Sequence, residues 1–137
     1  MIAVVSYIAY LSRRVPTGAP QAKTDSFAVV LPSASPDVAR GQTLYGQKCS
    51  MCHQANGAGI HGAFPPLWGA TSFNNGAGMS KLANMTGFVR YNMPQNAPGT
   101  LSAQDAYDIS AWVLAHPRPH FNPSRMITQP AQPAQFF

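Results

Sequence analysis

Apolar positions recur at helical spacing along three stretches of the chain, and no convincing pair of strands accompanies them. Val38, Gly41, Leu44 and Tyr45 fall on one face of a helix that Ser35-Pro36-Asp37 is suited to open. Serine caps, proline takes the first helical position, and the acid sits in the first turn. A second helix is expected between Met79 and Tyr91, with Leu82, Met85, Phe88 and Val89 on its apolar face. Beyond it, Pro94 restricts Met93 to an extended conformation. Ser102-Ala103-Gln104-Asp105 resembles a capping box with Asp in place of Glu. The helix it opens runs to about His116, buries Ala106, Ile109, Trp112 and Val113, and stops at Pro117. Gly41 and Tyr45 should face Ile109 and Trp112, the glycine allowing two backbones to approach closely.

The flanks read differently. Residues 1–14 form a short helix whose dense apolar run ends at Arg13-Arg14, with Pro16 and Gly18 following as a stop. That run is too short to span a bilayer and lacks the basic start of an export signal. So apolar a helix needs burial against something, and the chain is expected to begin inside a longer protein. Residues 15–35, rich in Pro, Ala, Ser and Thr, read as a linker. Residues 117–137 carry prolines without apolar periodicity and are expected to be extended, wrapped on the surface or disordered. The expected architecture is all-α: three to four helices in a domain spanning 36–116, with extended termini.

Composition limits how such a domain can hold together. The 137 residues suffice for one domain, yet 11 glycines and 13 prolines make it rich in loops. Apolar residues at 45% are ordinary for a globular protein. The net charge of +5 raises the question of nucleic acid, but the nine Lys and Arg are scattered, with Arg13-Arg14 the only adjacent pair. Solubility and weak steering toward an acidic redox partner account for the charge better.

The candidate chemistry lies in Cys49-Ser50-Met51-Cys52-His53, which holds both cysteines of the chain. Two thiols three positions apart can each add to one vinyl group of a haem, and the next histidine then lies under the iron. A Cys-x-x-Cys also suits a redox disulfide or half of a zinc site. Zinc needs a second ligand pair, and Pro117 and Pro119 interrupt any helix that would align His116 with His120. A dithiol motif of the usual kind would sit beside a βαβ pattern, which is missing around Cys49. One covalent haem c, held through Cys49 and Cys52, would also supply the large apolar ring that this loop-rich chain needs in its core. Haem is attached in this way outside the bacterial cytoplasm, so a periplasmic or other extracytoplasmic location is expected.

Low-spin haem iron takes two axial ligands beyond the porphyrin. His53 is one candidate. Met93, which follows a helix, precedes a proline and lies 40 residues past His53, is the choice for the other. A thioether there favours Fe(II) and raises the potential. Met79 is its main competitor and His61, in a glycine-rich loop, a distant third. The carbonyl of Pro65, or that of Pro66, could accept a hydrogen bond from the other ring nitrogen of His53 and fix its orientation. The alternative is that these prolines simply stiffen a turn.

Together the haem motif, the Pro65 region, Met93-Pro94 and the two terminal helices resemble the cytochrome c family over roughly 36–116. Phe64-Pro-Pro-Leu-Trp-Gly69, Ser72-Phe-Asn-Asn-Gly-Ala-Gly-Met79, Asn92-Met-Pro94, Leu101-Ser-Ala-Gln-Asp-Ala-Tyr-Asp108 and Pro117-Arg-Pro119 resemble, more narrowly, the second domain of dihaem cytochromes related to thiosulfate dehydrogenase. On that resemblance, residues 7–12 and Val15-Pro16 look like the last helix of a preceding haem domain. The departures are a single haem motif, no further cysteine for a catalytic haem, Asn92 where some relatives place a lysine, and Gln54 where glycine is common. The resemblance therefore implies an electron carrier. Its alternative is the electron-accepting domain of an oxidoreductase acting on thiosulfate or a similar sulfur compound. No catalytic residue is assigned, and a missing N-terminal haem domain is a possible partner.

Overall fold

A computed structural model of the chain describes residues 5–7, 10 and 30–125. Four α-helices follow in order: α1 Val38–Lys48, α2 Ser50–His53, α3 Leu82–Asn92 and α4 Ala103–Leu114. Single 3-10 turns lie at Gly78–Ser80 and Pro123–Arg125. Among the described residues the only β-type pairing is an isolated bridge between Ile60 and Phe64. Residues 5–7 and 10 are helical; the rest of the expected first helix, most of the linker and the tail from 126 lie outside the described residues. No helix among the described residues is long and apolar enough to cross a membrane. The all-α expectation holds.

The crossing of α1 and α4 organises the domain. A Cβ on Gly41 would come 2.1 Å from the Asp108 carbonyl oxygen and 3.1 Å from the Trp112 Cβ, so only glycine permits this approach. One turn on, Tyr45 is buried and its ring packs 4.6 Å from that of Trp112. The expected facing of these helices is thus present, with Gly41 meeting the Asp108 backbone rather than Ile109. Helix α3 packs on the other side of α4 and buries Met85, Thr86 and Gly87. Tyr45, Met85, Leu101, Ala106, Ile109 and Val113 make up the buried apolar core.

The cap of α1 lies two residues later than expected. Asp37, not Ser35, is the N-cap, and its Oδ1 accepts from the Arg40 N–H at 2.9 Å. The reason is on α4: Asp108, fully buried, accepts at Oδ1 from the Asp37 N–H at 3.0 Å and from Gln104 Nε2 at 2.8 Å. Arg40 completes the corner by bonding both Asp108 Oδ2 and Asp105 Oδ1. A buried carboxylate needs such a full set of donors. It therefore fixes where α1 starts.

Ser102 caps α4 as expected, accepting from the Asp105 N–H at 3.1 Å. The helix ends at Leu114 rather than His116: the Ala115 N–H still reaches the Ala111 carbonyl, but the His116 N–H reaches only that of Val113, three residues back, at 3.4 Å, and Pro117 has no N–H to continue the ladder. Trp112 is half-buried, not buried. The expected helix from Met79 divides into the 3-10 turn and α3, which opens only at Leu82. Val38 and Phe88, expected on apolar faces, are 44% and 43% exposed. Val38 stands in the first turn, short of the Gly41 crossing, and Phe88 stands one helical step off the face that carries Leu82, Thr86 and Val89.

Beyond α4 the chain is an extended strap. The Gly69 N–H donates to the Pro117 carbonyl at 2.8 Å, and the Asn75 N–H to that of Pro119 at 3.0 Å. The Phe121 N–H returns a bond to Asn75 Oδ1 at 2.7 Å. Through these bonds residues 117–121 lie along the 69–75 loop.

Candidate haem site

Helix α1 hands over to the cysteine motif at Cys49, which is both its C-cap and the N-cap of α2. The Cys49 N–H bonds the Tyr45 carbonyl at 2.9 Å, and the His53 N–H bonds the Cys49 carbonyl at 2.9 Å. Residues three and four apart share a helical face, so Cys49, Cys52 and His53 lie together and are half-buried, while Met51 between them is 76% exposed. The two thiols are free rather than joined. Burial, with a smaller contribution from neighbouring Cys52, pushes the Cys49 thiol up to about 11. It is therefore protonated at neutral pH and a poor partner for disulfide exchange.

The loop after His53 folds back under the imidazole. Gln54 turns it with φ 63° and ψ 158°, a region that side chains other than glycine rarely enter. The Tyr45 hydroxyl donates to the Gln54 carbonyl at 2.7 Å and holds that turn in place. Burial drives the Tyr45 phenol far above its ordinary range, so it stays a donor. The Gly59 N–H then bonds the His53 carbonyl and the Leu67 N–H bonds the Gly57 carbonyl. At Gly57, where φ is +67°, a Cβ would strike the Trp68 ring at 2.3 Å.

This return brings the Pro65 carbonyl to 2.9 Å from His53 Nδ1. A carbonyl only accepts, so Nδ1 carries the hydrogen and Nε2 is left with its lone pair. Pro65, not Pro66, makes the bond. The Phe64 ring stands edge-on to the imidazole with centroids 6.2 Å apart.

Met93 is the C-cap of α3, extended at φ −118° and ψ 149°, its N–H bonded to the Val89 carbonyl. It is half-buried, and the peptide bond to Pro94 is cis. Met79 instead packs against the apolar core, and His61 is exposed. His116 and His120 have separate engagements, His116 Nδ1 with the Trp112 carbonyl at 2.8 Å and His120 Nδ1 with Asn75 Nδ2 at 3.3 Å.

Two features beside the site were not foreseen. One is the Arg40–Asp105–Asp108 corner, whose signal was an opposite-charge set on two helices already expected to cross. The other is an aromatic cluster in which Trp68 lies 5.3 Å from Tyr45, 5.0 Å from Trp112 and 4.1 Å, stacked, from His116. It ties the Pro65–Trp68 loop to α1 and α4. Only the tertiary fold brings these four rings together.

The donor set suits a haem c: two free thiols at the right spacing, an imidazole whose Nε2 is released by its own hydrogen bond, and a thioether beyond the next helix. A strandless helical domain with those groups defines a haem-binding redox protein. Residues 38–117 match the family described as cytochrome c, and the chain belongs to that family. Membership brings with it a covalent haem c and electron transfer.

Relatives agree with this placement. The chain is 41% identical over 126 residues to a thiosulfate dehydrogenase of Allochromatium vinosum, covering 88% of the chain and 46% of that protein. It is 40% identical over 123 residues to one of Thiomonas intermedia, covering 87% of the chain and 39% of that protein. Among solved structures, thiosulfate dehydrogenase (TsdBA) from Marichromatium purpuratum, in its "as isolated" form, matches with a TM-score of 0.66 and 34% identity. That match covers 94% of this chain and 30% of the other. The chain thus spans less than half the length of these relatives.

Proposed function

We propose that the chain carries electrons on one haem c, attached through Cys49 and Cys52 and held axially by His53 and Met93. The observation that carries this reading is the His53 Nδ1–H bond to the Pro65 carbonyl, at 2.9 Å. It selects the tautomer with a free Nε2, orients the ring and makes it a stronger base toward iron. When bound, the haem supplies a one-electron Fe(III)/Fe(II) couple. The chain's own residues do the rest. Cys49 and Cys52 would fix the ring covalently on one helical face. His53 and Met93 would fill both axial positions, so no substrate needs to reach the iron, and the soft sulfur would favour the reduced state. Met79, committed to the core, suits a packing role.

Residues 36–116 are assigned to this domain, 15–35 to a linker and 117–137 to the tail. Residues 1–14 are read as the end of a preceding haem domain. An extracytoplasmic location, the periplasm in bacteria, follows from the covalent haem. The basic chain suits an acidic redox partner. A second reading is favoured by the names of the relatives: the chain is the electron-accepting domain of a dihaem oxidoreductase acting on thiosulfate or a similar sulfur compound.

Expression with haem-maturation machinery tests both. The reduced protein should show a sharp α-band, and the oxidised protein a weak band toward the red that reports methionine on Fe(III). Met93→Leu should abolish the red band and leave haem attachment intact. A red band that survives Met93→Leu removes Met93 from the site, with Met79→Leu as the next variant. Thiosulfate-dependent reduction of the isolated haem-loaded chain would favour the oxidoreductase reading over the carrier.

A further inference from the structure

Among the described residues, Arg118 is a cation without a carboxylate partner. The three carboxylates among the described residues are Asp37, Asp105 and Asp108, and all three gather at Arg40. Arg118 sits instead in the strap, half-buried, with its guanidinium 4.4 Å over the Phe73 ring. Its hydrogen bonds are to backbone carbonyls: Nη2 to Val113 at 2.9 Å and Nη1 to Leu67 at 3.5 Å. A guanidinium has five N–H donors, so most of its hydrogen-bonding capacity is unspent. None of its nitrogens is both buried and without a hydrogen-bond partner. Burial without a counter-charge lowers its affinity for its own proton.

A partly desolvated guanidinium is stabilised by an anion, and planar carboxylate is the partner its fork fits best. The position of Arg118 says where that anion would come from. Leu67 is two residues past Pro65, whose carbonyl holds His53. Leu67 and Phe73 both pack against the core on the same loop. The strap that carries Arg118 is pinned to this loop through Gly69 and Asn75. Hence the unpaired cation is fixed on the segment that braces the haem histidine.

We infer that Arg118 is the carboxylate-binding residue for a haem propionate, supplied to the haem domain by the strap that follows its last helix. The inference rests on the haem reading above and extends it to this chain's own side chain. Stacking on Phe73 and the two carbonyl bonds would hold the guanidinium plane, leaving its remaining N–H groups for a propionate oxygen. The 67–73 loop and the end of α4 carry no titratable side chain beside it. The nearest in sequence are His116, stacked on Trp68, and His120, whose Nδ1 lies 3.3 Å from Asn75 Nδ2.

The test uses haem-loaded full-length chain with carboxyl-13C-labelled haem, titrated by NMR in the reduced state. One propionate should titrate well below the other in the native protein. In Arg118→Gln its acid constant should fall tenfold or more. Arg118→Lys, which keeps charge but loses the fork, should fall between the two. Two native propionates that titrate together would overturn the inference, and so would an Arg118→Gln titration that matches the native one. If Arg118→Gln fails to hold haem, the native titration and Arg118→Lys still decide. A chain that never takes up haem, by contrast, would sink the functional reading itself.

Discussion

Gln54 is the residue where local cost and site geometry meet most directly. At φ 63° and ψ 158° it occupies a region nearly reserved for glycine, at a cost of order 1–3 kcal/mol. The Tyr45 hydroxyl bond to its carbonyl and the Gly59 bond to the His53 carbonyl hold it there. Replacing it should relieve the strain, while added freedom in the unfolded chain takes back about 0.5–1 kcal/mol. Gln54→Gly is therefore expected to stabilise the haem-loaded protein by roughly 1 kcal/mol in denaturant unfolding, with an unchanged visible spectrum. A loss of stability would mean that the Gln54 side chain contributes something the backbone geometry does not show. At this scale the sequence was informative. The spacing of Cys49, Cys52 and His53 and the twelve-residue step to Pro65 were readable, because each depends on local chain geometry. Whether Pro65 or Pro66 would make the bond was not, since that turns on how the glycine loop closes against Trp68.

Among the elements, the α1–α4 crossing was readable in outline and not in detail. Helical periodicity placed Gly41, Tyr45 and Trp112 toward each other, but it could not show that Asp108 would be buried and would draw the cap of α1 to Asp37. That outcome depends on pairing across 71 residues of sequence. The crossing gives an internally controlled prediction. Gly41→Ala adds a methyl group 2.1 Å from a backbone oxygen, which no side-chain rearrangement can relieve. It should destabilise the domain by about 3 kcal/mol or more, although alanine gains about 1 kcal/mol in helix propensity. Gly46 lies on the same helix, is exposed, and would meet nothing within 4 Å. Gly46→Ala should therefore stabilise by about 1 kcal/mol. Opposite signs at two glycines of one helix, measured by denaturant unfolding, would assign the effect to the crossing. Equal signs would place the close approach elsewhere.

For the molecule as a whole, the small size of its protein core decides how it can fold. Six buried apolar side chains, from Tyr45 to Val113, form the core of the described residues, and Leu67, Trp68, Phe73, Met79 and Val89 are only partly covered around it. A domain of this length has little stability to spare when so much apolar surface stays open. Loop-rich composition made this visible in the sequence; which side chains would stay half-covered was not, because that depends on packing between distant segments. On the proposed function a haem supplies the missing interior and ties it covalently to α2, so its binding free energy becomes folding free energy. Chain made without haem, either as Cys49→Ala/Cys52→Ala or by withholding the maturation machinery, should show reduced helical circular dichroism. It should also melt broadly, without a cooperative transition. The haem-loaded chain should melt in one sharp step. A cooperative, fully helical melt of the haem-free chain would show that the six-residue core suffices alone. The haem would then be a guest of the fold and not part of its interior.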